Sequence, residues 1–393
     1  MSQRHIAVTG TKGKTTVTRL IQEIAHEDNI KTYGEFGIDG SFLNGKQIQA
    51  EFRSADEYFQ NENIKNCDLI ISEATSYVLE TGCYKDILLD IAIFTGFEEM
   101  EHAELYETPE DYLATKKIIF THIKKDGFAI VNRDSPFYEK IIDGIDANIV
   151  TYGETEESDF QITNLTTNID GSTFTLKGPK STHTIKTILW GNFNVQNIAA
   201  SIIGCQLLDI NKKTIEKALK KFPGIKGRSN TFHVVETNSL VIIDYAHTPE
   251  SLKCQLEFLN KNRGSRKIVC VFGCGGMKSQ EKRPEMGFIA GHLSDHVILT
   301  SDNPRNEHPR QILSDILEGI HNLGSVEVYP DREEAIKRAL SSFSNSIILI
   351  AGKGAEQFQE IGEYEIPMCD STTFEKWVIQ NGYGIRGYND YID

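Results

Sequence analysis

The chain has 393 residues, of which 39% are apolar and 25% charged, and its net charge is −15. This length predicts two or three domains with buried cores, and the acidic balance argues against general binding to nucleic acid or to anionic membranes. No apolar run is long enough to span a bilayer, and the first is interrupted at Gly10, which is atypical of a signal peptide. Seven scattered cysteines without a C-x-x-C pair favour reduced thiols in a cytoplasmic protein.

The first predicted strand leads into a phosphate-binding loop. An apolar run at 5–8 is followed by T-G-T-K-G-K-T-T at 9–16, and helical spacing begins after it. Strand, glycine turn, Lys-Thr and helix is the order of a P-loop, whose backbone N–H groups and helix N-terminus meet nucleotide phosphates. An ordinary Gly/Thr-rich turn is the alternative. The predicted nucleotide-binding residues are Gly10, Thr11, Lys12, Gly13, Lys14, Thr15 and Thr16, with Lys14 on the terminal phosphates and a threonine hydroxyl on Mg²⁺.

Residues 1–150 alternate strand-like runs with helical segments, which predicts a P-loop-containing parallel sheet with helices on both faces. The strand-like runs are 5–8, 68–72, 91–94 and 128–131, and helical spacing covers 16–26 and 109–124. Further short runs at 162–166, 172–176 and 184–189 predict a small antiparallel addition. Helical patterns return at 194–208 and 214–221.

Turn-forming residues at 222–228 separate two regular regions, so we expect a domain boundary after residue 225. A second alternating pattern follows and predicts a smaller, Rossmann-like α/β domain. Its strand-like runs are 240–243, 268–272, 296–300 and 346–350. A glycine turn at 273–276, with Lys278, Lys282 and Arg283 nearby, is its candidate anion site.

Polar residues follow several predicted strands. Glu73 ends the strand at 68–72, where an acid beside a P-loop is well placed for Mg²⁺, although strand-end charges are also common on surfaces. G-N-F-N-V-Q-N at 191–197 opens a helix. Its Asn194 and Asn197 carry amides that offer donors and acceptors to a base edge, and helix capping by Asn194 is the alternative.

In this order, the motifs resemble the Mur ligase superfamily, whose ATP loop reads T-G-T-x-G-K-T-T, and most of all the branch that adds the third residue to the peptidoglycan stem peptide. Further matches are G-R at 227–228, D-Y-A-H-T-P at 244–249, K-R-P at 282–284 and D-N-P-R at 302–305. The resemblance implies a central ATP-binding domain at 1–225 and a C-terminal amino-acid-binding domain at 226–393.

The resemblance also implies the chemistry. ATP, with Mg²⁺ or Mn²⁺, phosphorylates a carboxylate to an acyl phosphate, and the amine of a bound amino acid displaces phosphate to form an amide. The implied catalytic residues are Lys14, Lys116, His102 and Arg228, and the implied metal ligands are Thr15, Glu73 and His102. Asn194, Asn197, Arg228, Asp244 and His247 are expected on the nucleotide.

Two of these positions carry their own qualifications. His102 follows Glu101, where the family has Asp-His, and a solvated loop histidine is the alternative reading. Lys116 matches the lysine that is carbamylated in many Mur ligases, which converts a cation into an anion. Lys117 beside it is a rival, and an ordinary surface lysine is the third possibility.

In the family, D-N-P-R marks enzymes that select meso-diaminopimelate, whose distal carboxylate an Arg fork grips while acids hold its ammonium. The partner segment, G-K-G-H-E in the family, reads G-K-G-A-E at 352–356, so the histidine is lost at Ala355. The predicted amino-acid-binding residues are Asp302, Asn303, Arg305, Gly352 and Glu356.

The acid substrate is where the resemblance weakens. Stem-peptide ligases carry an N-terminal UDP-sugar domain, whereas this chain starts at the P-loop, and 53–56 reads R-S-A-D where T-T-P-D is usual. With Arg53 and Ser54 in that acid-binding loop, we expect a small or carrier-bound acid. One alternative is a folylpolyglutamate-synthase-like ligase. The other is a non-catalytic ATP-binding partner subunit, which is favoured by Tyr77 and Ala355 in place of family histidines and by the altered region around Glu101.

Overall fold

The structure is a computed structural model that describes residues 3–35, 37, 40–48, 61–98 and 106–387. The chain divides into two compact units, the first ending at Phe222 and the second beginning at Pro223. Each unit is an α/β arrangement around its own large sheet. None of the helices in the described ranges combines the length and the apolar character needed to cross a membrane.

The first unit alternates strands and helices along most of its length. Its strands are β1 (Arg4–Thr9), β2 (Thr32–Glu35), β3 (Ser41–Leu43), β4 (Lys46–Ile48), β5 (Leu69–Glu73), β6 (Leu89–Phe94), β7 (Ile123–Asn132), β8 (Asn148–Gly153), β9 (Phe160–Asn168), β10 (Gly171–Lys177) and β11 (Thr182–Thr187). Its α-helices are α1 (Lys14–Glu27), α2 (Glu62–Lys65), α3 (Ser76–Glu80), α4 (Pro109–Lys117), α5 (Tyr138–Ile142), α6 (Asn192–Leu207) and α7 (Lys212–Lys221).

These strands form one sheet in the order β11-β10-β9-β8-β7-β6-β1-β5-β2-β3-β4. The central strand β1 is parallel to both β5 and β6, and Ile6, Ala7 and Val8 on it are fully buried, as expected of a strand covered on both faces. Strands β9, β10 and β11 pair antiparallel at one edge. The prediction of a parallel sheet with an antiparallel addition is therefore confirmed.

The predicted helix at 109–124 is too long. The helix begins with a capping box between Thr108 and Asp111 and ends at Lys117, after which Ile118–His122 form a 3₁₀ turn. Ile123 then opens β7 and pairs with Leu89 of β6. The apolar residues that suggested further helical turns serve the 3₁₀ turn and a strand, since tertiary pairing overrides local spacing.

The second unit has the four predicted strands and several short additional ones. Its strands are β12 (Asn230–Val234), β13 (Ser239–Asp244), β14 (Lys267–Phe272), β15 (His296–Leu299), β16 (Val326–Val328), β17 (Ser346–Ala351), β18 (Phe358–Ile361), β19 (Tyr364–Pro367) and β20 (Ile385–Gly387). Its α-helices are α8 (Pro249–Asn262), α9 (Lys282–Leu293), α10 (Pro309–Leu317), α11 (Arg332–Ser342) and α12 (Asp370–Asn381), and Leu323–Ser325 form a 3₁₀ turn.

The main sheet of this unit has the order β16-β15-β14-β17-β13-β12-β20. The first five strands are parallel, and β12 and β20 are antiparallel to their neighbours. All six residues of β17 are buried at the centre of this sheet. Strands β18 and β19 form a separate hairpin.

Several of the predicted motifs follow the carboxyl ends of parallel strands. In the first unit these strands are β1, β5 and β6, and in the second they are β13, β14, β15 and β17. Because the carboxyl ends of neighbouring parallel strands meet at one edge of a sheet, these motifs gather at one edge in each unit.

Candidate active site

The P-loop leaves β1 at Thr9 and enters α1 at Lys14. Gly13 caps the helix in the left-handed region with φ 85°, a conformation that favours glycine. The Lys14 ammonium folds over the loop and donates to the carbonyl oxygens of Gly10 and Thr11, each at 2.9 Å. The lysine and the N-terminus of α1 thus lie together at the end of β1, as an anion site needs.

The loop after β6 braces the P-loop. The Thr11 amide donates to the Gly96 carbonyl at 2.9 Å, and the Glu98 amide donates to the Thr11 hydroxyl at 3.0 Å. The Thr95 hydroxyl donates to the Lys12 carbonyl, and Lys12 itself forms an ion pair with Glu98. Lys12 is therefore engaged with a carboxylate beside the P-loop.

The two predicted adenine-binding asparagines lie on α6. Asn197 is next to the P-loop, since a Cβ built on Gly13 would lie 2.3 Å from its amide oxygen. The Asn194 amide nitrogen donates to the Trp190 carbonyl at 2.9 Å, which leaves its amide oxygen for another partner. Gly191, and not Asn194, is the N-cap of this helix.

Glu73 lies beside the strand that precedes the P-loop, because it pairs in register with Val8 of β1. Glu73 is also buried, with 8% of its surface exposed. Within the described ranges no three His, Cys, Asp or Glu side chains form a group that could hold a metal ion. Mg²⁺ commonly takes one or two protein ligands plus phosphate and water, so Glu73 and the loop threonines suit a metal bound together with nucleotide. The predicted residues His102, Arg53 and Ser54 lie outside the described residues.

Lys116 is 1% exposed. Its ammonium donates to the Ser76 hydroxyl at 3.3 Å and lies 4.5 Å from the centre of the Tyr112 ring. The rival Lys117 points elsewhere, because its ammonium donates to the carbonyls of Lys140 and Asp143 at the end of α5. A surface lysine is therefore the wrong description of Lys116.

In the second unit, Asp244 ends β13 and organises the turns around it. Its carboxylate accepts from the Ser229 amide at 2.6 Å, the Ser229 hydroxyl at 3.2 Å and the Ala246 amide at 2.8 Å. Burial raises the pKa of this carboxyl, and the hydrogen bonds and the charge of Arg228 partly oppose that effect. Both oxygens are thus used to hold the backbone.

Arg228 and His247 flank Tyr245. The Arg228 guanidinium lies 4.1 Å from the centre of the tyrosine ring, and the His247 ring packs edge-on against it at 4.6 Å. Gly227 has φ 70°, and a Cβ there would lie 2.2 Å from the Ala355 amide nitrogen. This turn therefore packs directly on the G-K-G-A-E segment, at the position where the family carries histidine.

The D-N-P-R and G-K-G-A-E segments meet through a fully buried lysine. The Lys353 ammonium donates to Asn303 Oδ1 at 2.9 Å, to Glu356 Oε2 at 2.7 Å and to the Phe358 carbonyl at 2.7 Å. Asn303 Nδ2 donates to the same Glu356 oxygen at 2.9 Å. Lys353 is not among the predicted site residues, since no local pattern in the sequence shows that this lysine is buried.

Arg305 is bound on two sides. Its Nε forms an ion pair with Glu360 Oε2 at 2.6 Å, and its Nη1 donates to the Gly276 carbonyl at 2.9 Å. Its backbone is left-handed, with φ 51°, and its amide donates to the Glu360 carbonyl at 3.0 Å. The guanidinium predicted to grip a ligand carboxylate is thus anchored to the β18–β19 hairpin.

Asp302 is 9% exposed, and its Oδ2 has no hydrogen-bond partner in the described part of the chain. A Cβ on Gly352 would lie 2.6 Å from that oxygen, so only glycine fits opposite it. Nearby, the fully buried Arg332 binds Asp370 through two hydrogen bonds and donates to the Ala351 carbonyl. The ion pair of Arg332 and Asp370 was not predicted from the sequence. The position of Arg332 on the apolar face of α11 could have indicated that this arginine is buried.

Two of the basic residues predicted to form an anion site near the glycine turn, Lys282 and Arg283, bind other groups of the protein. Arg283 is fully buried and pairs with Glu307 at 2.8 Å and with Asp315 at 2.7 Å. Lys282 donates to the His247 carbonyl at 3.3 Å. The prediction that Arg283 supplies charge for a ligand is therefore not supported, because two carboxylates already neutralise it.

Together, the braced P-loop, the strand-end acid and the second α/β unit define a nucleotide-binding protein of the P-loop α/β class. Residues 8–205 match the family described as the Mur ligase middle domain, and 227–354 match the Mur ligase, glutamate ligase domain. The chain therefore belongs to the Mur ligase family, whose members are ATP-dependent ligases that form amide bonds.

Among curated proteins, the chain is 32% identical over 377 residues to the UDP-N-acetylmuramoyl-L-alanyl-D-glutamate–2,6-diaminopimelate ligase of Listeria monocytogenes, covering 93% of this chain and 76% of that protein. It is 33% identical over 390 residues to the same-named ligase of Geobacillus kaustophilus, covering 96% and 79%.

A solved structure of a UDP-N-acetylmuramoyl-L-alanyl-D-glutamate–2,6-diaminopimelate ligase is 29% identical, with a TM-score of 0.65 over 98% of this chain and 80% of that one. A Mycobacterium tuberculosis folylpolyglutamate synthase complexed with ADP has a TM-score of 0.72 at 15% identity, covering 89% and 88%. The latter likeness concerns the fold alone.

Proposed function

We propose that this ligase joins an amino acid of the meso-diaminopimelate class, with a distal carboxylate and ammonium, to a carboxylic acid. The observations that carry the proposal are the buried Lys353, which holds Asn303 and Glu356, and the Arg305 guanidinium, which is paired with Glu360. A guanidinium beside two acids suits a ligand end that bears both charges. The names of the relatives, which include 2,6-diaminopimelate, support the same class.

The proposed reaction has two steps. A carboxylate oxygen of the acid attacks the γ-phosphorus of ATP, the bond to the β-phosphate oxygen breaks, and ADP leaves. The amine of the amino acid then attacks the acyl carbon, phosphate departs with the bonding electrons, and the nitrogen loses a proton to give the amide. Lys14 stabilises the charge that develops on the phosphoryl group in the first step.

Mg²⁺ is proposed to bind with the nucleotide, where it neutralises phosphate charge. Glu73 and the Thr15 hydroxyl are the residues in the described part of the chain that suit this role, and His102 is assigned to it on sequence alone. Asn197, beside Gly13, is placed to contact the bound nucleotide.

We infer that Lys116 is carbamylated. The support is that Lys116 matches the lysine carbamylated in the family and is only 1% exposed, beside the Ser76 hydroxyl and the Tyr112 ring. Intact-mass analysis in bicarbonate under non-acidic conditions should show an added carboxyl group that Lys116→Met removes and Lys117→Met keeps. A carbamate that follows Lys117, or no change in activity on bicarbonate depletion, would refute the assignment.

For the acid we infer a small or carrier-bound carboxylate that differs from the UDP-muramoyl dipeptide of the named relatives. The support is the sequence R-S-A-D at 53–56, which departs from the family pattern in the loop assigned to the acid. The UDP-muramoyl dipeptide therefore belongs in any substrate screen as the competing candidate.

The test is phosphate release by the purified full chain with ATP and Mg²⁺ across a matrix of acids and amino acids, with mass detection of the amide. Release that needs both an acid and an amino acid, and that Lys14→Ala abolishes, would support the ligase. Glutamate as the only accepted amine, with a folate-like acid, would favour the folylpolyglutamate-synthase-like reading. ATP binding without turnover for any pair would favour a non-catalytic subunit.

A further inference from the structure

The amino-acid site contains an internal competitor for its own ligand. Arg305 is the proposed anchor for a distal carboxylate, yet its Nε already binds the Glu360 carboxylate at 2.6 Å. Its Nη1 binds the Gly276 carbonyl at 2.9 Å. A ligand carboxylate that approaches the Nε edge of the guanidinium must therefore share or replace Glu360.

The ion pair is exchangeable. The Arg305 and Glu360 side chains are 29% and 45% exposed, and ion pairs in such partly solvated positions are weak. The main chain remains fixed during an exchange, because the Arg305 amide binds the Glu360 carbonyl at 3.0 Å and the Gly362 amide binds the Arg305 carbonyl at 2.8 Å. Only the two side chains need to move.

Displacement of Glu360 from Arg305 by a ligand has an electrostatic cost, because the register of the hairpin places another acid opposite Glu360. Glu360 of β18 lies directly opposite Glu365 of β19, and like charges in such a pair repel. Arg305 offsets this repulsion while it binds Glu360. When a ligand carboxylate takes the guanidinium, Glu360 faces both Glu365 and the new anion.

We propose that Glu360 is a specificity-determining residue of the amino-acid site. Glu360 binds Arg305 until the distal carboxylate of the incoming amino acid displaces Glu360 from the guanidinium. This inference rests on the proposed function. A ligand without a distal carboxylate leaves the Arg305–Glu360 pair intact. Glu360 therefore lowers the affinity for dicarboxylic amino acids only, and it limits how strongly Arg305 favours them over amino acids without a distal carboxylate.

The substrate pair that isolates this effect is meso-diaminopimelate and L-lysine, which share the carbon chain and differ in the distal carboxylate. Glu360→Gln removes the competing charge at a partly exposed position, so the fold should persist. We expect its kcat/KM for meso-diaminopimelate to rise about three- to tenfold through KM, with less than a twofold change for L-lysine. Glu363→Gln, an exposed acid in the same hairpin, is the matched control and should change neither value.

Calorimetric titration of both amino acids into the full chain gives a readout that does not need turnover. If the wild-type protein forms no amide with any acid, the proposed function is wrong. The titration still tests the effect of Glu360 on the affinities for the two amino acids in that case. If Glu360→Gln leaves the ratio of the two affinities unchanged, or lowers the affinity for meso-diaminopimelate, the role given to Glu360 is wrong.

Discussion

Lys353→Met is the substitution that most directly tests how the second unit is held together. Methionine has nearly the length of lysine but no charge, so it removes three donated hydrogen bonds from a fully buried position, while the bond from Asn303 Nδ2 to Glu356 remains. Removing one member of a buried ion pair costs about 3–5 kcal/mol. Because the Glu356 side chain is 19% exposed and regains some hydration, we expect the lower end, about 3 kcal/mol.

The control is the same chemical change on the surface. Lys337 also pairs with a glutamate, Glu333, at 2.6 Å, but the side chains are 40% and 48% exposed, so Lys337→Met should cost no more than about 0.5 kcal/mol. The assay is urea unfolding followed by tryptophan fluorescence. The chain has two tryptophans, one in each unit, so a Trp190→Phe background leaves Trp377 as the reporter of the second unit.

Equal free energies of unfolding for Lys353→Met and Lys337→Met would refute the reasoning, because they would show that the buried ammonium adds nothing beyond a surface one. A difference of about 2 kcal/mol or more would support it. The KM for the amino acid should also rise in Lys353→Met, since the lysine orients Asn303 and Glu356.

Three further outcomes are expected. Lys14→Ala should weaken ATP binding about a hundredfold in a fluorescent-nucleotide titration, and wild-type affinity would contradict the P-loop assignment. Gly227→Ala should destabilise the protein by about 2–4 kcal/mol because it adds a clash to a strained φ, whereas Gly264→Ala, with φ 59° and open space, should cost only about 1 kcal/mol. Hydrogen bonds to Glu327, of which the one from Arg338 has the largest effect, lower its pKa from 4.5 to about 2. The contribution of Glu327 to the free energy of unfolding is therefore fully present above pH 4.5 and is lost as pH falls toward 2. Glu327→Gln should remove about 1–2 kcal/mol of that acid-sensitive stability, and an unchanged acid profile would contradict it.

The parallel architecture was predictable because buried parallel strands are short apolar runs with polar residues at their carboxyl ends. The P-loop after β1 and Glu73 at the end of β5 were predicted in this way. The end of α4 at Lys117 was not predictable, since the residues beyond it keep an apolar spacing and only the pairing of Ile123 with Leu89 shows that a strand has begun.

The contacts that hold the amino-acid motifs were also hidden from the sequence. Arg332 and Asp370 are 38 positions apart and form a bidentate pair with both side chains fully buried, and Lys353 joins two segments 50 positions apart. Local patterns do not carry such long-range partners. The same applies to Glu360, which looks like an ordinary hairpin charge until its partner is known.

The central place of β17 has a consequence for synthesis on the ribosome. Strands β13 and β14 are made early in the second unit, yet they do not touch each other, because β17 lies between them and pairs with both. Until residue 351 has left the exit tunnel, each of these apolar strands presents an open edge, which is a template for unwanted pairing. Nascent chains stalled shortly before Ser346 should therefore recruit chaperones more strongly than chains stalled well beyond Ala351.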